Sequence, residues 1–312
     1  MNIIEYIRKK SIESIFNLSS FSNPWEASWR AQVLSKLSTY PYNPNSIIDL
    51  GDHLSQIFKT TSSSGRTQSL LSGAGTAWEA LVNWYLNICL IGTNVVVFRQ
   101  NEMLMPTPIK EAVTVHYGNY PSNTEADLIG LTFPNEVVFF DDIRHVIVKD
   151  RNDDVIPNLK NNNDLNYNKI INSLCEIYFD KIEVAIIQCK TNWNDNSQIP
   201  MLWDMVYSAN GFSERNIIVG SSQFSISNLN KFSYSFVTVP SNNVNYSSNS
   251  LAVKRVISLS GGNYWGKPSQ RGVASSIKEI FGVNFRHGAG NITSSLEQGT
   301  KKLKYEFSYF DI

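Results

Sequence analysis

Four side chains invite a chemical reading before any fold is drawn: Glu79, Asp127, Gln188 and Lys190. The most informative stretch is Glu183-Val184-Ala185-Ile186-Ile187-Gln188-Cys189-Lys190. Its apolar middle predicts a buried strand. Side chains alternate along a strand, so Gln188 and Lys190 leave it on the same face. An ammonium at the end of a buried strand calls for an anion, because burying an unpaired charge costs on the order of several kcal/mol. That anion belongs either to the protein or to a substrate. Asp127 opens a second apolar run, Ala126 to Phe133, in a place where strands disfavour Asp. Glu79 lies beside a helical stripe of Trp78, Leu81, Val82, Tyr85 and Leu86, spaced for one face of a helix. Carboxylates of this kind can hold a hard divalent cation, and the lysine can balance an anionic substrate. Each also has a plainer reading. Glu79 suits the first turn of a helix, where the dipole favours an acid, and Asp127 suits a turn that leads into a strand.

The elements that would position these residues can be read in outline. Residues 1–70 read as helical, with a stripe of Ile3, Ile4, Ile7, Ile12, Ile15 and Phe16. A second helix is predicted to begin at Pro24 and to run through Trp29, Val33 and Leu37. Thr60 to Gly65 reads as a loop carrying Arg66. Ser72 to Leu86 reads as an apolar helix capped by Ser72 or Thr76. Its Gly73-Ala74-Gly75 lacks the spacing and the Lys-Ser/Thr of a phosphate loop. Thr93 to Arg99 is a β-branched run and predicts a strand. Ala126 to Phe133 and Glu136 to Phe140 read as a hairpin turning at Pro134-Asn135. Asp141 to Asn168 reads as an exposed insertion, followed by a short helix around Ile170 to Tyr178. After Lys190 come a polar loop, a helix near Pro200, and strands at Ile217 to Gly220 and Phe232 to Val239. Ala252 to Leu259 predicts a further strand, and Val273 to Phe281 a helix. With no internal repeat and no linker, the simplest account is one elaborated domain over 1–312. It would have a helical part at 1–70, a core at 72–240 and a basic part at 251–312.

Composition narrows the class. The chain has 312 residues, 42% hydrophobic and 17% charged, which suits an ordered globular protein. Lys and Arg equal Asp and Glu overall. From Leu251 onward, however, nine basic residues face four acidic ones, so a neutral chain can still present a basic face. No apolar stretch reaches the roughly 18 residues of a membrane span, and the N-terminus lacks the order of a signal peptide. Cys89, Cys175 and Cys189 occur singly in apolar settings and read as reduced core residues, which suits a cytoplasmic protein. Neither they nor the four histidines have the spacing of a zinc site.

Taken in order, a helix with Ala77-Trp78-Glu79-Ala80-Leu81, a strand at Glu125-Ala126-Asp127-Leu128-Ile129-Gly130 and a strand ending Ile187-Gln188-Cys189-Lys190-Thr191 resemble the PD-(D/E)XK nuclease superfamily. The likeness is to type II restriction endonucleases in particular and covers about the middle third of the chain. It implies an α/β fold with a restriction-endonuclease-like central mixed β-sheet flanked by helices, with insertions. It also implies hydrolysis of phosphodiester bonds in double-stranded DNA with Mg²⁺, by a homodimer whose cognate DNA methyltransferase shares the target sequence. Asp127 would be the central metal ligand, joined by Gln188 and the carbonyl of Cys189. Lys190 would polarise the attacking water, and Glu79 would reach a second metal, a water or Lys190. The chain departs from the pattern in carrying Gln188 where an acid is usual, a variant also found in Mrr-like members. The connection from Asp127 to Gln188, at 61 positions, is also longer than usual, and Asp141 or Asp142 is a rival metal ligand within it. Arg66, Asn192, Asn194, Gln198, Lys267 and Arg271 are candidate DNA contacts. Alternatives are a modification-dependent or Mrr-like nuclease, a DNA-binding protein on a decayed nuclease fold, and a β-rich interaction protein.

Overall fold

The computed structural model describes residues 1–60, 68–100, 103–122, 126–161, 164–191, 197–212, 214, 216–240 and 245–312, with backbone alone for 68–72. Arg66, Asn192 and Asn194 lie outside the described residues. The fold is mixed α/β, with a central six-stranded sheet flanked by helices. Its strands are β1 (Val95–Arg99), β2 (Leu128–Thr132), β3 (Glu183–Lys190), β4 (Lys231–Thr238), β5 (Asn263–Trp265) and β6 (Ser275–Ser276), and they follow one another across the sheet in chain order. The first three pair antiparallel and the last three join in parallel.

The period of two divides the core. Val95, Val97, Leu128, Ala185, Ile187, Cys189 and Val237 pack on one side of the sheet, against the helix α2 (Gln68–Cys89). Val96, Phe98, Ile129, Leu131, Val184, Ile186 and Tyr234 pack on the other, with the helix Tyr167–Ile177. The helix α3 (Gln198–Ser208) carries Tyr207 into this second layer. Gly130 lies against Phe285, and a Cβ there would meet Phe285 Cε1 at 2.6 Å.

β1 is the edge strand, and its outward backbone groups are taken up by side chains. Arg8 and Ser11 of α1 (Ile3–Phe16) donate to the carbonyls of Val95 (2.8 Å) and Val97 (3.0 Å). Asn87 of α2 accepts from the Val97 N–H (3.2 Å) and donates to its carbonyl (2.6 Å). An edge strand otherwise offers unpaired N–H and C=O groups to other chains. The same bonds fix β1 against α2, and that placement carries forward to the site.

Several expectations need correction. Glu136 to Phe140 is no strand: Val137–Phe139 forms a single 3₁₀ turn, with Phe139 stacked on Phe133 at 4.9 Å between ring centroids. Both edges of β2 are already occupied by β1 and β3, so no ladder is open to it. Ala252 to Leu259 contains a helix, Leu251–Val256, that buries Ala252, Val253 and Val256 at helical spacing. Val273 to Phe281 is divided between β6, a 3₁₀ turn and the short helix Ile280–Val283. The second helix begins at Ser19 rather than Pro24, and the chain passes Pro24 by widening into a π turn, Trp25–Trp29, as helices do beside an interruption of their bonding. α2 starts at Gln68, so neither Ser72 nor Thr76 caps it.

Candidate active site

The proposed residues gather at one end of the sheet, where β3 ends and β2 begins. Leu128 stands opposite Ile187 in the antiparallel pair, which puts Asp127 beside the last residues of β3. There its Oδ2 accepts the backbone N–H of Cys189 at 2.6 Å and lies 3.9 Å from Lys190 Nζ. The anion that Lys190 requires is therefore supplied, at least in part, by Asp127. Both side chains are mostly enclosed, with 15% of Asp127 and 23% of Lys190 open to solvent.

Glu79 belongs to the other face. It is the twelfth residue of α2, far from the first turn, so the helix dipole does not explain it. Its Oε2 meets Arg99 Nη2 at 3.4 Å. The polar positions Glu79, Asn83 and Asn87 recur every four residues along an otherwise apolar helix. This stripe follows β1, with Asn87 on Val97 and Glu79 on Arg99. Arg99 was not singled out from the sequence, although that stripe opposite a strand ending in Arg was the available signal. The Cys189 thiol is buried on the α2 side of the sheet end. Burial pushes its pKa well up; the nearby carboxylates of Asp127 and Glu79 add to this, and Lys190 and Arg99 oppose it. Two acids and two bases thus bear on one point at the sheet end.

Gln188 is turned elsewhere. It is fully buried, and its Oε1 accepts from the Tyr234 hydroxyl at 3.0 Å, on the β4 side. Tyr234 was also unforeseen, since it arrives 46 residues later in the chain. Asp142, the rival ligand, is bound to Arg144 (2.8 Å) and to the N-terminal amine (2.9 Å) on the surface, and these, Arg144 foremost, hold its carboxyl well below the usual range. Asp141 is exposed. Gln198 is exposed at the start of α3. Lys267 follows β5 at the same end of the sheet as Lys190 and lies 5.4 Å over the Trp265 ring. Arg271 lines a recess with Ile257, Gly262 and Val283, at the start of β5 and so at the opposite end.

No family model matches the chain, and no curated protein compared with it is significantly similar.

The donor set suits one hard cation. Among the described residues no group of three or more His, Cys, Asp or Glu side chains is placed to hold a metal. A Mg²⁺ site needs less, being built from one or two carboxylates, waters and substrate oxygens. Asp127 supplies a carboxylate, and the Cys189 carbonyl leaves the strand on the same side as the N–H that meets Asp127. The Gln188 amide oxygen, as placed, faces Tyr234.

Proposed function

We propose that this chain is a Mg²⁺-dependent endonuclease of the restriction type, hydrolysing phosphodiester bonds in double-stranded DNA on a PD-(D/E)XK plan. The observation that carries the reading is the Asp127–Lys190 pair, 3.9 Å apart at the end of adjacent strands. The order of elements supports it: helix α2, three antiparallel strands, helix α3, then a parallel strand, with Glu79, Asp127 and Lys190 at one end. Asp127 and the Cys189 carbonyl would hold Mg²⁺, which supplies an activated water and stabilises the charge on the phosphate. Lys190 would orient the attacking water and donate to a non-bridging phosphate oxygen, offsetting charge as the water O–P bond forms and the P–O bond breaks, with the water's proton passing to solvent and the departing oxygen taking one from it. Asp127 holds Lys190 in place for this, and its own backbone bond to Cys189 fixes the carboxylate. A homodimer would place two such sites across a two-fold axis, matched to a palindromic target. A methyltransferase reading the same sequence would protect the host DNA.

A second reading has its own observation. Gln188 is buried against Tyr234 and brings no charge to the site, which favours a DNA-binding protein on a nuclease fold that no longer cuts. The two separate on unmodified phage DNA with and without Mg²⁺. Discrete fragments support the nuclease, and tight binding without cutting supports the second reading. Neither binding nor cutting counts against both.

A further inference from the structure

We infer that Arg99 is a substrate-contacting residue that binds a DNA phosphate next to the one addressed by Asp127 and Lys190, with Glu79 as its holder. The inference rests on the nuclease reading above. A guanidinium has five N–H donors. Among the described residues Arg99 directs only Nη2 at a partner, Glu79 Oε2 at 3.4 Å. Its Nε is enclosed and, among the described residues, has no partner, and 30% of the side chain is open to solvent. Arg–carboxylate pairs frequently close through two parallel, shorter bonds. This one is long and single. An enclosed donor without an acceptor is unusual in a folded protein and asks for an explanation, such as an ion or ligand that completes it.

Its place in the sheet gives that ligand a class. Arg99 is opposite Leu128, and the Gln100 N–H points to the Asp127 carbonyl at 3.4 Å. Arg99 therefore ends the strand on one side of Asp127, and Lys190 ends the strand on the other. At about 4.8 Å per strand across the sheet and about 3.3 Å per residue for the three positions from Ile187 to Lys190, the backbones of the two cations stand roughly 14 Å apart, and their side chains leave opposite faces of the sheet. Phosphates of one DNA strand rise about 3.4 Å per nucleotide along the axis, so cations this far apart address different phosphates. Lys190 takes the reacting one and Arg99 a neighbour. The bonds of Asn87, Arg8 and Ser11 to β1 hold that strand against α2 and so set the height of Arg99. Glu79 limits where the guanidinium can swing without using up its donors.

The test compares wild type, Arg99→Met and Arg99→Lys on a short duplex that spans a cut site mapped on phage DNA. A contact to a phosphate that does not react contributes equally to ground and transition state, so its loss raises KM and spares kcat. Arg99→Met should raise KM about tenfold, in line with loss of a charged hydrogen bond, and move kcat less than about twofold. The slope of log affinity against log salt should become shallower by about one. Arg99→Lys should recover part of the affinity. A neutral methylphosphonate at the neighbouring phosphate should weaken wild type and leave Arg99→Met unaffected. Wild-type KM and salt slope in a folded Arg99→Met protein would overturn the inference and leave the nuclease reading standing. A fall in kcat with KM unchanged would overturn it too, by showing that Arg99 acts through Glu79. Wild-type protein that neither binds nor cuts DNA would remove the nuclease reading, and this inference with it.

Discussion

Gln188→Glu restores the acid usual at this place and asks whether the site can use it. The side chain is fully buried and faces the Tyr234 hydroxyl. Desolvating a carboxylate costs on the order of several kcal/mol even after the protein relaxes. The Tyr234 hydroxyl would return about 1.5–3 kcal/mol as a hydrogen bond to a charged group, and Lys190 on the same face lessens the cost further. A net penalty of about 2–3 kcal/mol follows, equivalent to raising the carboxyl pKa by about two units at 1.36 kcal/mol each. The sign is set by that rise. Below the unfolded value of about 4.3 the group is protonated in both states and the penalty is absent. It grows as pH passes that value and is complete above the raised one. Urea midpoints at pH 4 and pH 8 in the absence of divalent ions should therefore agree with wild type at pH 4 and fall below it at pH 8. Equal midpoints at pH 8 would refute the placement of Gln188 against Tyr234. Recovery of the midpoint on adding Mg²⁺ would place position 188 among the metal ligands, as the family resemblance implies.

Other consequences are structural or pH-linked. Arg8 is fully buried and bonded to Glu5, Asn87 and the Val95 carbonyl, so Arg8→Met should destabilise by about 3–5 kcal/mol, as removal of one partner of a buried charge pair does. Urea unfolding measures it; a loss under about 1 kcal/mol would contradict the bonding of β1 to α1. Gly130→Ala would press a methyl group on Phe285 at 2.6 Å and should cost about 1–3 kcal/mol as overpacking, again read by urea. Burial raises the pKa of the Asp204 carboxyl, with bonds from Ser260 opposing. A carboxyl raised on folding costs stability as pH rises from its unfolded value through its folded one. Asp204→Asn should flatten the stability–pH curve over that window, and an unchanged curve would argue against the burial effect.

Much of the sheet was readable because its strands are apolar runs of sufficient length. β3 and β4 were placed within a residue or two by composition alone; the spacing found α2 but read it as Ser72 to Leu86, four residues short at its start and three at its end. The readings that failed depended on chain segments distant in sequence. Glu136 to Phe140 has the composition of a strand, but β1 and β3 had already taken both edges of β2. Ala252 to Leu259 is apolar enough for a strand, while its buried positions follow a helical period. Glu79 looked like a first-turn acid because Ser72 or Thr76 was read as the helix cap, yet α2 begins at Gln68 and runs through both. At the site, the lysine at the end of a buried strand called for an anion without saying which; Asp127 lies 3.9 Å from it, whereas Glu79 meets Arg99. Arg99 and Tyr234 were not seen. Their roles depend on strand register and on which face a neighbouring strand presents, neither of which is written in any local stretch.

The most direct test of the nuclease reading is cleavage of unmodified phage DNA by wild type and Lys190→Ala, each with and without Mg²⁺. The account predicts discrete fragments from wild type with Mg²⁺ alone, and none from a Lys190→Ala protein that melts as wild type does. Full cutting by Lys190→Ala, or equal cutting by wild type without divalent ions, would contradict it.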